Sequence, residues 1–287
     1  MGKGKMVFII IATALVLALI VLMVVGKRDW TKHTKQMRAR LDAAQIPVQP
    51  TVVDFSELVT LPEPVQRYFR AVLKDGQPMI AGASLKHRGT FNLGEGKDRW
   101  CRFTSDQKVV TKRPGFDWDA NISLFPGLYV CVRDAFIDGE GLLQASMFGK
   151  ISLANMKGGK LLGEGELMRF LAEAAWYPTA LLPSQGVQWQ PIDDTSASAV
   201  FSDGTYTVTM VFTFNRQNLI TSIGAASRSR MVSGQNVPTP WEGRFGNYQT
   251  HGGMQIPTEG EAVWLLPGGD KPYWRGTLTE VTHIFSK

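Results

Sequence analysis

Twenty consecutive residues without a charge, from Met6 to Val25 (MVFIIIATALVLALIVLMVV), constrain this chain more than any other feature. In hydrocarbon every backbone N–H and C=O must be satisfied within the segment, so such a run folds as a helix. At 1.5 Å per residue it covers about 30 Å, the thickness of a bilayer's hydrocarbon core. A cleavable leader has a shorter apolar region followed by an A-x-A-like site. Here the run ends in Val-Val-Gly-Lys-Arg, which is a stop and not a cleavage site. Residues 1–26 are therefore expected to form an uncleaved single-pass transmembrane anchor.

The net charge of +6 belongs to the same region. Residues 1–40 hold eight Lys and Arg against one acid, Asp29, which leaves the rest of the chain at −1. A near-neutral body without a basic stripe is not a phosphate-tracking surface, so the basic pI does not point to nucleic acid. Six cations follow the apolar run between Lys27 and Arg40, and only Lys3, Lys5 and the α-amine precede it. The positive-inside rule then places the C-terminal body in the cytoplasm. Against this, exported signal anchors also begin with a short basic stretch, and long domains translocate despite charge. The basic flank from Lys27 to Arg40 reads as a helix leaving the membrane. Its cations either touch anionic headgroups, at about 1 kcal/mol each, or serve only topology. Residues 27–60 are thus expected as a basic juxtamembrane helix and a linker, with Pro47 and Pro50 in the linker.

The remainder, 61–287, suits one β-rich domain. Its hydrophobic content allows a sizeable core, and eight Trp with 15 Phe in the chain suit curved sheets or pockets. Pro64 followed by Val65, Tyr68, Phe69 and Leu73 marks a short amphipathic helix. From about residue 83 the hydrophobic period changes to two. Strands are expected at 83–93, 100–111, 116–124 and 128–137, with 142–153 adding more strand. They resume at 187–191, 197–202, 205–214, 219–228, 241–250, 254–266 and 273–285. In 205–214 the alternation is clearest: Tyr206, Val208, Met210, Phe212 and Phe214 face one way and threonines the other. Roughly ten to twelve strands joined by tight turns predict a continuous antiparallel sheet that must curl. The expected fold class is α+β, mainly β: a large curved antiparallel sheet, or half-barrel, around a central helix, plus the N-terminal transmembrane helix.

That central helix is expected over 165–182, within GELMRFLAEAAWYPTALLP. Leu167, Met168, Phe170, Leu171, Ala172, Ala174 and Ala175 make it apolar on most sides, as a buried helix is. Glu166, Arg169 and Glu173 are spaced i, i+3, i+7 on one stripe that Trp176 extends. One reading is a salt-bridged seam facing a solvated groove. The other is a polar patch inside a cavity, with Glu166, Arg169, Glu173, Trp176 and Tyr177 as ligand-binding residues. Arg169 between the two acids is expected to lower both pKa values, which makes a poor general acid. No catalytic residue is assigned. Pro178 ends or kinks the helix, and the Ala180-Leu181-Leu182 turn is expected to plug the core.

Other chemistry has no signature. Four scattered histidines and no CxxC give no metal site, and no cofactor motif occurs. Asp117-Trp118-Asp119 lacks the further oxygen ligands that calcium needs. Cys101 and Cys131 sit in apolar strand-like runs and read as small buried hydrophobes.

The segments LPEPVQRYFRAVLKDGQP, FTSDQKVVTKRPGFDWDA and GELMRFLAEAAWYPTALLPSQGVQW resemble a family of uncharacterised bacterial proteins, a domain of unknown function often preceded by a membrane helix. The resemblance runs from about Leu61 to the C-terminus. It implies bacterial origin, hence the bacterial cytoplasmic membrane, and one domain, but it transfers no catalytic residue. The order of elements is also similar to the half-barrel of periplasmic lipoprotein carriers, a fold-level analogy.

Three functions are expected from these features. The first is a membrane-anchored protein binding a lipid or other hydrophobic ligand between sheet and helix. The second is an envelope scaffold with a filled core. The third is a hydrolase or transferase, which requires a carboxyl in a pocket away from arginine.

Overall fold

A computed structural model describes residues 2–286. Helix α1 runs unbroken from Lys3–Ala44, and α2 spans Glu63–Val72. Six strands follow: β1 Ile80–Asn92, β2 Trp100–Val110, β3 Gly115–Phe125, β4 Leu128–Ile137, β5 Glu140–Met147 and β6 Ile151–Lys157. Helix α3, Lys160–Glu173, and three short 3-10 turns lead into seven more strands. These are β7 Gln188–Asp193, β8 Ser196–Asp203, β9 Tyr206–Phe214, β10 Ile220–Val232, β11 Gln235–His251, β12 Met254–Leu266 and β13 Gly269–Phe285.

All thirteen form one antiparallel sheet in the order β6-β5-β4-β3-β2-β1-β13-β12-β11-β10-β9-β8-β7. Within β1–β6 and within β7–β13 each strand pairs with its neighbour in sequence, and one long-range pairing, β1 with β13, joins the two halves. The sheet stays open between β6 and β7, and α3 connects those two edges. It touches β4 and β5 from one half and β9 and β10 from the other. A single helix reaches both halves only if the sheet wraps around it. The curved sheet around a central helix is therefore the observed architecture.

Alternation decides which side chains face inward. Along β9, Val208, Met210, Phe212 and Phe214 are buried against the core, while Thr207 and Thr209 are exposed. The inner face closes at one end with α2, whose Val65, Tyr68, Phe69 and Val72 are buried. Leu181 and Leu182 are also buried there, as expected of a plug. Cys101 and Cys131 are buried free thiols.

Several boundaries differ from expectation. The segment 142–153 is two strands, because Phe148 and Gly149 both take positive φ and turn the chain. A phenylalanine in that conformation carries no turn signal in sequence. The central helix does not span 165–182. It starts at Lys160, after Gly158 and Gly159 at positive φ, and ends at Glu173. Tyr177 precedes Pro178 and is forced out of the helical region, so the chain continues as 3-10 turns. The Gln45–Thr51 linker is packed: Val48 is buried, and the Thr51 carbonyl accepts from Met79 N at 2.9 Å.

One helix, over Gly4–Ala44, is long and apolar enough to cross a membrane, and its most apolar window is not buried at all. Its second half is not a free juxtamembrane helix. Trp30, Thr34, Met37, Arg38 and Leu41 recur at helical spacing and dock on the outer face of β2–β5. Trp30 Nε1 and Thr34 Oγ1 donate to Asp119, at 2.9 and 2.7 Å. Arg38 Nε donates to Asp117 at 3.0 Å. Asp117 also pairs with Arg133 at 3.1 Å, both side chains fully buried, and the Arg133 guanidinium lies 4.5 Å from the Trp30 ring. Within the basic flank, Arg38 thus faces protein, whereas Lys27, Arg28, Lys32 and Lys35 stay exposed.

Candidate functional site

Between α3 and the inner face lies a cavity of about 520 Å³. Five of the chain's eight tryptophans line it: Trp118, Trp176, Trp241, Trp264 and Trp274. Phe91, Phe245 and Tyr273 complete an aromatic wall. Glycines leave room for two of the indoles on the sheet, Trp241 over Gly243 and Trp274 over Gly260 and Gly276. A Cβ at Gly276 would run into the Trp274 ring, so only glycine fits under it. Leu143, Met156, Leu161 and Met231 supply aliphatic surface. Leu161 and Met231, 49% and 42% exposed, mark the mouth, whereas Trp118, Trp176 and Ala172 lie at the buried end.

One wall is polar. Arg169 Nη1 binds Asp134 Oδ2 at 2.5 Å, and its Nε binds Glu173 Oε1 at 2.7 Å. The second Glu173 oxygen accepts from Gln107 Nε2 at 2.5 Å. The Arg169 guanidinium lies 4.8 Å from the Phe116 ring and 5.0 Å from that of Trp118. Burial opposes its charge, but the carboxylates of Glu173 and Asp134 outweigh burial and raise its pKa further. Arg169 is therefore a fixed, fully neutralised cation.

Glu166 departs from the expected pairing. It is 3% exposed, and its Oε2 has no hydrogen-bond partner. Burial first, and then the Asp134 carboxylate, push its pKa well above the ordinary carboxyl range. Arg228 and Arg169 pull the other way and do not prevail. Arg169 pulls Glu166 down as expected, but burial and Asp134 outweigh it, and its hydrogen bonds go to Glu173 and Asp134 instead. Glu166 is thus a carboxyl whose charged form burial disfavours, and Asp134 beside it has its own unpartnered Oδ1.

The structure brings Glu166, Arg169, Glu173 and Trp176 together on the cavity wall. Trp176 sits on a 3-10 turn, and its Nε1 donates to the Pro257 carbonyl at 3.0 Å. Tyr177 is not part of this wall. It is fully buried, donates to the Phe170 carbonyl at 2.8 Å and packs on the Phe170 ring. Sequence reasoning missed Asp134 and Arg228. Arg228 enters through a bulge in β10, where the pairing with β11 skips from Ala225 to Arg228. It lies 5.0 Å from the Trp241 ring and donates to Tyr273 Oη at 3.4 Å. It makes no ion pair among the described residues. Among those residues no group of acids, histidines and cysteines is arranged to hold a metal.

A model described as a family of unknown function (DUF6920) matches residues 59–283, and the chain belongs to that family. The resemblance read from about Leu61 onward is thereby borne out. No curated protein matches the chain. Among solved structures it is similar to a LolA superfamily protein from Nitrosomonas europaea, at 9% identity and a TM-score of 0.36, over 76% of this chain and 91% of that one. It is also similar to a beta-barrel-like protein of domain of unknown function DUF1849 from Brucella abortus. There the identity is 10% and the TM-score 0.17, over 72% of this chain and 99% of that one.

Proposed function

We propose that this member of the DUF6920 family is a membrane-anchored binding protein for an amphipathic ligand. The apolar part of the ligand lies along the tryptophan wall. Its polar part meets Glu166 and Arg228. One observation carries this reading: a cavity of about 520 Å³ in which five indoles face a buried carboxyl with a raised pKa and a guanidinium without an ion pair among the described residues. Ligand sites of about 300–1,000 Å³ combine apolar walls with a few convergent polar groups in this way. An arginine without an ion pair among the described residues favours an anionic head, and a carboxyl whose pKa burial raises opposes that head less than an ordinary one. A cavity of this size beside α3 counts against the filled-core scaffold. Titration with a dibrominated fatty acid tests the proposal. Saturable quenching of tryptophan fluorescence is expected, weaker for the matching alcohol and weakened for the acid by Arg228→Met. Absence of saturable quenching with either probe contradicts it.

A second reading has one observation in its favour. Burial raises the pKa of Glu166, while the adjoining Asp134 is bound by Arg169, so two carboxyls in one pocket have different surroundings. A hydrolase or transferase would use Glu166 as general acid. Screening ester and glycosyl substrates tests it: turnover abolished by Glu166→Gln with binding retained supports catalysis.

A further inference from the structure

The place where α1 leaves the apolar run is fixed against one end of the sheet. Val25 ends that run, and Gly26 packs on the β5–β6 turn. A Cβ at Gly26 would collide with the Phe148 carbonyl oxygen, and a Cβ at Gly149 would lie 2.8 Å from the Gly26 carbonyl oxygen. Lys150 at the same turn pairs with Asp29 at 2.5 Å. Below this crossing, Trp30, Thr34, Arg38 and Leu41 hold α1 to the outer face, so its direction is not free.

Antiparallel pairing throughout puts the turns after β1, β3 and β5 at one rim of the first half, and the same alternation groups those after β8, β10 and β12 in the second. Two neighbouring turns of that rim are apolar and exposed: Phe125 at 62% after β3, and Ile151 at 47% after β5. They are tied together, since Phe148 N donates to the Tyr129 carbonyl at 3.2 Å and the two rings meet edge to face. One side of the cavity's mouth, Met231 and Asn236, flanks the β10–β11 turn, whereas Leu161 on the other side follows the far end of β6.

We infer that this rim sits in the headgroup layer of the bilayer that α1 enters, with Phe125 and Ile151 inserted and the Met231 side of the cavity mouth turned toward lipid. The inference rests on the reading of residues 1–26 as an anchor. The apolar run ends one helical residue, about 1.5 Å of rise, before the glycine that touches the rim. The rim therefore lies at the depth where hydrocarbon gives way to headgroups, a layer several ångströms thick. The exposed Lys27, Arg28 and Lys32 occupy the same level, which suits an anionic surface. At that depth an exposed phenylalanine and isoleucine gain by leaving water for the bilayer.

Environment-sensitive labels on the full chain test this. Single cysteines are placed at Phe125→Cys, Ile151→Cys, Val16→Cys within the apolar run, and Gln217→Cys in the β9–β10 turn at the opposite end. The native thiols are buried and stay unlabelled. The protein is reconstituted in nanodiscs of phosphatidylcholine and phosphatidylglycerol, with and without brominated chains. The expected result is quenching by bromolipid at 16, 125 and 151, a blue-shifted emission at 125 and 151, and neither effect at 217. Quenching at 16 with 125 and 151 behaving like 217 overturns the inference while the anchor stands. No quenching at 16 overturns the anchor reading and this inference with it.

Discussion

At the scale of single residues the site is a contrast between two carboxyls on one helix. Glu173 is bound by Arg169 and Gln107, whereas Glu166 keeps an oxygen without a partner. Folded Glu166 holds its proton at pH values where the unfolded chain, ionising near 4.5, has released it. Stability contributed by the protonated acid is therefore present below about 4.5 and lost as pH rises toward the folded pKa. Glu166→Gln mimics the protonated form, so its thermal midpoint is expected to fall less between about pH 5 and pH 8 than the parent's. His87 slopes the opposite way. It is buried between Trp176 and Trp274, neither ring nitrogen has a partner, and burial followed by Arg169 lowers its pKa from 6.5 to about 3. Stability is complete above about 6.5 and lost as pH falls, by about 2 kcal/mol at pH 5 from 1.36 kcal/mol per unit. His87→Leu is expected to flatten this acid limb in pH-dependent melts. Arg169→Met strands Asp134 and Glu173 as buried uncompensated charges and should destabilise the fold by about 3–5 kcal/mol in urea titrations.

At the scale of elements, strands were legible and helix edges were not. The period-two pattern located β2, β4, β9 and β12 to within a residue or two, because one face of each is buried and the other solvated. Helix α3 was misplaced at both ends: glycines at 163 and 165 conceal its start, and the alanines after Glu173 look helical although Pro178 breaks them. Docking of α1 was invisible. Arg38 meets Asp117, 79 positions away, and nothing local distinguishes such a cation from one awaiting a headgroup. The buried Arg133–Asp117 pair now carries that contact. Arg133→Met leaves Asp117 buried with less compensation. The expected outcome is faster amide exchange throughout residues 27–44, with β12 and β13 unchanged. For the candidate site, spacing found the Glu166–Trp176 wall but not Arg228, whose orientation depends on a bulge, nor Asp134, which comes from another element.

At the scale of the molecule, thirteen strands wrap one helix and leave about 520 Å³ beside it. The excess of cations after the apolar run predicts that the sheet domain lies in the cytoplasm. A fluorescent protein fused after Lys287 should then glow and an alkaline phosphatase fusion stay inactive; the reverse result places the domain outside. Placing the Met231 side of the cavity mouth on the rim that α1 touches makes anchor, sheet and cavity parts of one device, in which lipid is held beside the membrane. Native mass spectrometry of the full chain, extracted from cells in mild detergent, tests that account most directly. A discrete bound mass identifiable as an amphipathic lipid is predicted, and it should be lost in Ala262→Phe, which projects a ring into the cavity. Repeated spectra of ligand-free protein, or a bound mass that Ala262→Phe leaves unchanged, would contradict it.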